Sequence, residues 1–376
     1  MHEEYATDLR VLAERGRLRT LRGRAGIDFT SNDYLGLAES EELRRAAAEA
    51  VARGVPVGSG GSRLLRGNHL EHEALESEAA AYFGADTALY FGGGYVANFT
   101  IFSTLPQRGD LVVHDELVHA SVHEGLRRGR ADLVGVPHNN VDAFDSAIVR
   151  WRAAGGKGRP WLSVESLYGM DGNSPDLAEL FTVADRHGAM VVVDEAHATG
   201  VLGPQGRGLA APFEGRDNVI TLHTCGKALG TIGGFILAPK IIRDFLVNRA
   251  RPFIFATSPS PLIAAITRVA LEISRTKPER REQLARLVQF AGTELRRRCN
   301  VEPSGSQIIP VIIGPDRATV ALAGSLQRRG FDVRAIRPPT VPEGTARLRI
   351  ALTLNVDEAV VAELFEALAQ DMRKAA

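Results

Sequence analysis

Ala189-Met190-Val191-Val192-Val193-Asp194-Glu195-Ala196-His197-Ala198-Thr199-Gly200 decides the fold class of this 376-residue chain. A short continuous β-branched run, with no polar residue between its members, reads as a strand buried on both faces in a parallel sheet. The run ends in an acid. Asp194 therefore falls at the carboxyl end of its strand, where open α/β sheets bind ligands. A second run of this kind, Asn218 to His223, is followed at once by Thr224-Cys225-Gly226-Lys227. An Asp and a Lys thus leave two strand ends.

Lys227 stands out for a second reason. Of the 45 basic residues only Lys157, Lys227, Lys240, Lys277 and Lys374 are lysine; all others are arginine. Arginine does not deprotonate in a protein, whereas a desolvated lysine becomes a nucleophile. A chain that so prefers arginine, yet sets a lysine among small residues, calls for an amine there. Pyridoxal phosphate needs this pair: an amine for its aldehyde carbon, and a carboxylate that keeps its ring nitrogen protonated so that the ring accepts electrons. A strand-end acid alone is more often structural, so it is the Lys227–Asp194 pair, with His197, that points to the cofactor.

Phe91-Gly92-Gly93-Gly94-Tyr95-Val96-Ala97-Asn98 closes one strand and opens a helix. Glycines there let backbone approach a ligand, and a helix N-terminus offers N–H groups to phosphate. No Gly-Lys-Ser/Thr follows, and the glycine spacing is not that of a dinucleotide site. The segment fits a phosphate cup, with Thr224 as a second donor. His119 is the candidate ring to stack on the pyridine, although a lone histidine is more often structural.

Zero net charge removes a general pull toward nucleic acid or anionic membrane. Two cysteines make no disulfide framework, and no metal site is expected. No run reaches the roughly 18 apolar residues of a membrane helix. Glu3, Glu4, Asp8 and Glu14 argue against a transit peptide, so a cytoplasmic enzyme is expected.

Helices are expected over residues 3–22, 41–52 and 71–83, and a strand and turn over 27–37. Strands near 87–91, 110–114, 161–165, 190–194, 219–223 and 233–237 alternate with helices, which predicts a mostly parallel α/β sheet. A helical stretch over about 260–298 precedes strands at 307–313 and 347–352 and helices at 317–329 and 357–372. This pattern predicts an N-terminal segment 1–45, a large α/β domain 46–270 and a smaller α+β domain 271–376.

These residues resemble the α-oxoamine synthases, over nearly the whole chain. The resemblance rests on Phe29 to Gly36, Gly58 to Arg63, Val118 to Ser121, Met170-Asp171-Gly172, Val193 to His197, Gly206-Arg207-Gly208, Thr224 to Lys227, and Ala335 to Arg349. It implies a fold type I, aspartate-aminotransferase-like homodimer with its active sites at the subunit interface. It further implies that Lys227 carries the cofactor, Asp194 meets its ring nitrogen, His119 stacks on it and His197 bonds its phenolic oxygen. Tyr95, Val96 and Thr224 would hold the phosphate, with Thr257 reaching across from the partner. Arg349 would bind the amino-acid carboxylate, with Arg22, Asn32 and Ser62 on the substrate side.

The run from Ile336 to Arg349 resembles the branch that condenses L-alanine with a pimeloyl thioester, on coenzyme A or a carrier protein. Use of glycine or another acyl thioester, amino transfer on the same fold, and a non-enzymatic Arg-rich binding protein are the alternatives. One position departs from the family: Gly169 stands where a serine usually helps bond the phenolic oxygen. His223 has no role assigned by the resemblance.

Overall fold

The computed structural model describes residues 2–21 and 23–375. The chain divides into two compact units: Leu35–Tyr168 with Ser174–Arg281, and Met1–Tyr34 with Gly169–Asn173 and Glu282–Ala376.

The larger unit is built on a seven-stranded sheet. Its order is Thr87–Phe91, Gly234–Ala238, Val219–Thr224, Met190–Asp194, Pro160–Glu165, Leu111–Asp115 and Asp132–Val136. The last five run parallel, while Gly234–Ala238 lies antiparallel to both of its neighbours. Phe91, Asp115, Glu165, Asp194 and Thr224 therefore end on one edge of the sheet. The β-branched run at 191–193 is explained by its two faces. Val192 joins Ile101, Phe102, Val122 and Ile220 on one side, while Val191 and Val193 join Phe144, Ile148, Leu180 and Phe181 on the other. Burying each such side chain stabilises the fold by roughly 1.5–3 kcal/mol relative to exposure.

Six of these strands match the expected positions. The seventh, Asp132–Val136, was not expected: it is an edge strand, largely exposed, and carries Gly135, so it lacks a buried strand's pattern. Helix Glu41–Ala52 is capped by the Ser40 side chain, which accepts from Leu43 N. The stretch over 260–298 is two helices, Pro261–Thr276 and Pro278–Cys299, because a proline opens the second.

In the smaller unit, Arg334–Ile336, Ala346–Ala351 and Ile308–Gly314 form an antiparallel sheet in that order, accompanied by helices Asp316–Arg328 and Glu358–Ala375. The expected helix 3–22 stops at Glu14; it buries no residue, and Gly16 beyond it has φ +67°. Of the short strand and turn expected over 27–37, the strand is Ile27–Asp28, which pairs with Phe331–Asp332, and a turn follows at Tyr34-Leu35.

The unit boundaries fall at Tyr34/Leu35 and Arg281/Glu282, against expected boundaries at 45/46 and 270/271. Hydrogen bonds account for the first boundary. Ala351 N donates to Phe29 O at 2.9 Å and Leu354 N to Tyr34 O at 3.1 Å, tying the N-terminal segment to the C-terminal strand.

Candidate active site

Asp194 ends its strand 6% exposed, between the carboxyl ends of Pro160–Glu165 and Val219–Thr224. Two donors hold its carboxylate. Ala196 N–H reaches Oδ1 at 2.9 Å, and Asn98 Nδ2 reaches Oδ2 at 2.6 Å. The sequence reading missed Asn98. Its position in the glycine-rich segment, one turn into the helix, was the available signal.

Lys227 lies three residues past the end of the neighbouring strand. Its turn is closed by Cys225 N to Gly233 O, Thr231 N to Cys225 O and Gly230 N to Lys227 O, each at 2.9 Å. Cys225, Ala228 and Leu229 are buried beside it. Burial pushes the Cys225 thiol far above its ordinary range, so this cysteine packs rather than reacts.

Helix Gly94–Thr104 begins at Gly93, which has no side chain to cap it. Among the described residues, no acceptor serves the N–H groups of Gly94, Tyr95 and Val96; the first bonded one is Ala97 N, to Gly93 O. Thr224 lies at this terminus, its Oγ1 3.5 Å from where a Cβ on Gly94 would stand. Uncapped N–H groups, the helix dipole and a hydroxyl make an anion seat. Tyr95 and Val96, in the first helical turn, are exposed.

His119 caps helix Ala120–Arg128: Ser121 N donates to its Nδ1 at 3.2 Å, and Ser121 Oγ lies 2.7 Å away. Its ring meets Tyr95 edge-on, with centroids 6.1 Å apart. Desolvation lowers the pKa of this imidazole. Asp194 opposes that shift and Lys227 reinforces it. That electrostatic reach puts His119, Asp194 and Lys227 in one neighbourhood. His197 is buried on the turn that leaves Asp194, in the run Asp194-Glu195-Ala196-His197.

Beneath this surface runs a buried network that the sequence did not disclose. Glu195 is fully buried and accepts from Ser166 Oγ at 2.6 Å, Leu209 N at 3.1 Å and Ala210 N at 2.5 Å. Burial raises its pKa, while His223, Ser166 and the two amides oppose the rise. Gly208, with φ +96°, passes so close that a Cβ there would lie 2.5 Å from this carboxylate. His223 receives its assignment here. It bonds Thr199 Oγ1 at 2.9 Å and Thr221 Oγ1 at 3.2 Å and packs tilted against Phe83, ring centroids 3.8 Å apart, so it is part of the support and not of the surface.

Ser62 and Thr257 fall on neighbouring segments. Ser62 O accepts from Leu65 N and Gly67 N, while Ser258 N donates to Gly61 O at 2.9 Å and Ser258 Oγ to Gly67 O at 2.8 Å. Thr257 itself is exposed.

In the smaller unit, Arg349 is 7% exposed on strand Ala346–Ala351. Its Nε donates to Gly169 O at 2.6 Å and its Nη2 to Asn32 Oδ1 at 2.9 Å. Asn32 Oδ1 also accepts from Tyr34 OH at 3.1 Å, so Asn32 holds the arginine. Burial pushes the Tyr34 phenol up to about 12, with Arg349 opposing. Arg347 pairs with Asp171 at 2.5 Å, and these two arginines explain why Gly169–Asn173 belongs to this unit. Gly172, with φ +67°, would place a Cβ 2.3 Å from Ile308 O. Arg22 lies outside the described residues.

The family model described as aminotransferase class I and II matches residues 24–368. A protein of Anaeromyxobacter dehalogenans named 8-amino-7-oxononanoate synthase is 43% identical over 349 residues, covering 92% of this chain and 86% of that protein. One of the same name from Geobacter sulfurreducens is 38% identical over 388 residues, covering 98% of each. Among solved structures, serine palmitoyltransferase from S. paucimobilis with a bound PLP–myriocin aldimine superposes with TM-score 0.89 at 26% identity, covering 99% of this chain and 98% of that one. With matches of this extent, the chain belongs to the class I and II aminotransferase family and, within it, to the α-oxoamine synthases.

Proposed function

We propose that this chain is a pyridoxal-phosphate-dependent C-acyltransferase that joins L-alanine to a pimeloyl thioester, releasing carbon dioxide and a free thiol and forming 8-amino-7-oxononanoate, a step of biotin synthesis. The observation that carries the reading is Asp194. It is a buried carboxylate held by two donors at a strand end, one strand away from Lys227 and on the same sheet edge as an uncapped helix. Those groups fit the cofactor's ring nitrogen, aldehyde and phosphate. The choice of product rests on the relatives that carry that name.

When bound, pyridoxal phosphate supplies an electron-poor ring that accepts the electron pair left on an amino acid's Cα. The other roles belong to the chain. Gly94, Tyr95, Val96 and Thr224 would seat the phosphate and so fix the ring's position. Asp194 would accept a hydrogen bond from the protonated ring nitrogen, His119 would cover one ring face, and His197 would donate to the phenolic oxygen. Arg349 takes the carboxylate of alanine in a planar fork. Lys227 Nζ would hold the cofactor covalently and, in its neutral form, would take the Cα proton of alanine. A carbon–carbon bond then forms to the thioester carbonyl, and the carbon–sulfur bond breaks to give the thiol. The bond to the carboxyl group breaks as carbon dioxide leaves, and Cα regains a proton.

We further propose a homodimer in which Thr257 of one chain reaches the phosphate of the other. Val57, Leu65 and Phe255 support it: each is at least 70% exposed, and they lie on segments that hydrogen-bond to one another. No described helix is long and apolar enough to cross a membrane, which fits a cytoplasmic site of action. The test mixes pure protein and cofactor with pimeloyl-coenzyme A and follows thiol release. Release that requires L-alanine and exceeds that with glycine supports the reading; equal rates with glycine, or transfer of the amino group to a keto acid, would overturn it.

A further inference from the structure

Asn98 sits in the second turn of helix Gly94–Thr104, 2% exposed, on a helix whose Ala97, Ile101 and Phe102 belong to the hydrophobic core. A residue there for packing alone would be apolar. Its Nδ2 lies 2.6 Å from Asp194 Oδ2. Its Oδ1 is buried with no partner among the described residues. The amide's orientation follows from this, because turning it over would press two acceptors together. One half of the amide is left unsatisfied, at a cost in a dry interior, while the other half serves a single carboxylate.

We propose that Asn98 is a positioning residue: its amide aims the Asp194 carboxylate at the ring nitrogen of the bound cofactor. Because it rides on the helix whose N-terminus seats the phosphate, it also ties carboxylate and phosphate seat to one rigid element. The inference rests on the pyridoxal phosphate reading above. Ala196 N–H, the other donor, belongs to the turn after Asp194 and moves with it; Asn98 is the contact that refers the carboxylate to a different element. A one-ångström drift of a supporting group is enough to weaken such a site.

The test compares binding of pyridoxal 5'-phosphate with that of its 1-deaza analogue, in which carbon replaces the ring nitrogen. Dissociation constants are measured on the wild-type chain and on Asn98→Leu, which keeps the bulk and lacks the donor. The wild-type chain should prefer the natural cofactor. In Asn98→Leu that preference should shrink about ten-fold, the size carried by one charge-assisted hydrogen bond. Phosphate-driven binding of the analogue should change far less. A role in packing alone would weaken both ligands equally and leave the preference intact, which overturns the proposal. A wild-type chain with no preference would instead overturn the placement of Asp194 on the ring nitrogen.

Asn98→Asp provides the second arm, should the leucine variant fail to fold. The new carboxylate would face Asp194, with His119, Lys227 and His197 as the other titratable groups of the site. Two carboxylates in contact share a proton at low pH and repel once both are charged. The preference should therefore track the wild type at low pH, where the shared proton restores a donor, and depart from it as pH rises and both carboxylates become charged. A preference that tracks the wild type at every pH would overturn the proposal.

Discussion

Replacing Arg349 with lysine keeps the charge and removes the fork. In the structure Nε is committed to Gly169 O at 2.6 Å and Nη2 to Asn32 Oδ1 at 2.9 Å. Nη2 also makes a long contact with Tyr34 OH at 3.5 Å, and Nη1 has no protein acceptor among the described residues, so Nη1 with the weakly held side of Nη2 is the edge left for a carboxylate. A lysine ammonium offers a single point and cannot reproduce both the Gly169 anchor and a two-point contact. Losing one charge-assisted hydrogen bond of about 1.5–3 kcal/mol in the reacting complex lowers kcat/KM for alanine roughly 10- to 100-fold. The thioester, which does not use this edge, should keep its KM within a small factor. Losing the Nε anchor on Gly169 O should also lower folding stability, by about 0.5–1.5 kcal/mol. Steady-state kinetics in each substrate, with thermal unfolding of the same preparation, measures all three quantities. An unchanged KM for alanine, or equal losses for both substrates in a chain that melts normally, would refute the assignment.

Asp194→Asn should reduce turnover by orders of magnitude while the chain stays folded, because a neutral amide does not hold the ring nitrogen protonated; near-normal turnover would mean that another acid serves. Gly169→Ser supplies the hydroxyl that the family resemblance leads one to expect at this position. It should be tolerated and move the pH-dependent visible spectrum of the bound cofactor to lower pH; an unmoved spectrum in a stable variant would show that the phenolic oxygen already has its donors. For His119, desolvation lowers the pKa, Asp194 opposes and Lys227 adds to the lowering. In the cofactor-free chain its imidazole should therefore titrate below the ordinary value of about 6.5. A histidine with a depressed folded pKa favours folding above that value and loses the contribution as pH falls through the lower one. NMR titration of His119 and stability between pH 7 and 5, beside His119→Asn, check both statements.

The parts of the site that were legible in the sequence are those that short-range pattern encodes. The run at 191–193 shows no polar gap because each face of the strand meets its own hydrophobic layer, and that alone places Asp194 at a strand end. Lys227 was legible because arginine is used almost everywhere else. The edge strand Asp132–Val136 was not legible, since exposure on one edge removes the apolar run that marks its neighbours. Asn98 and Glu195 were invisible for another reason. A buried polar side chain is explained only by its partner, and Asn98 finds its partner 96 residues away. The grip of Arg349 on Gly169 spans 180 residues and bonds a backbone carbonyl, which no residue type signals. It also explains why the segment Gly169–Asn173 groups with the C-terminal unit: it is claimed by arginines near the far end of the chain.

Every other role proposed for the site depends on covalent attachment of the cofactor to Lys227. Borohydride reduction of the yellow protein, proteolysis and mass spectrometry of the labelled peptide test it most directly. The account predicts one pyridoxyl label per chain, on the peptide that contains Lys227, and none in Lys227→Ala, which should still bind the cofactor through Asp194 and the phosphate seat. A label on Lys157, Lys240, Lys277 or Lys374, or a protein that takes up no cofactor, would contradict it.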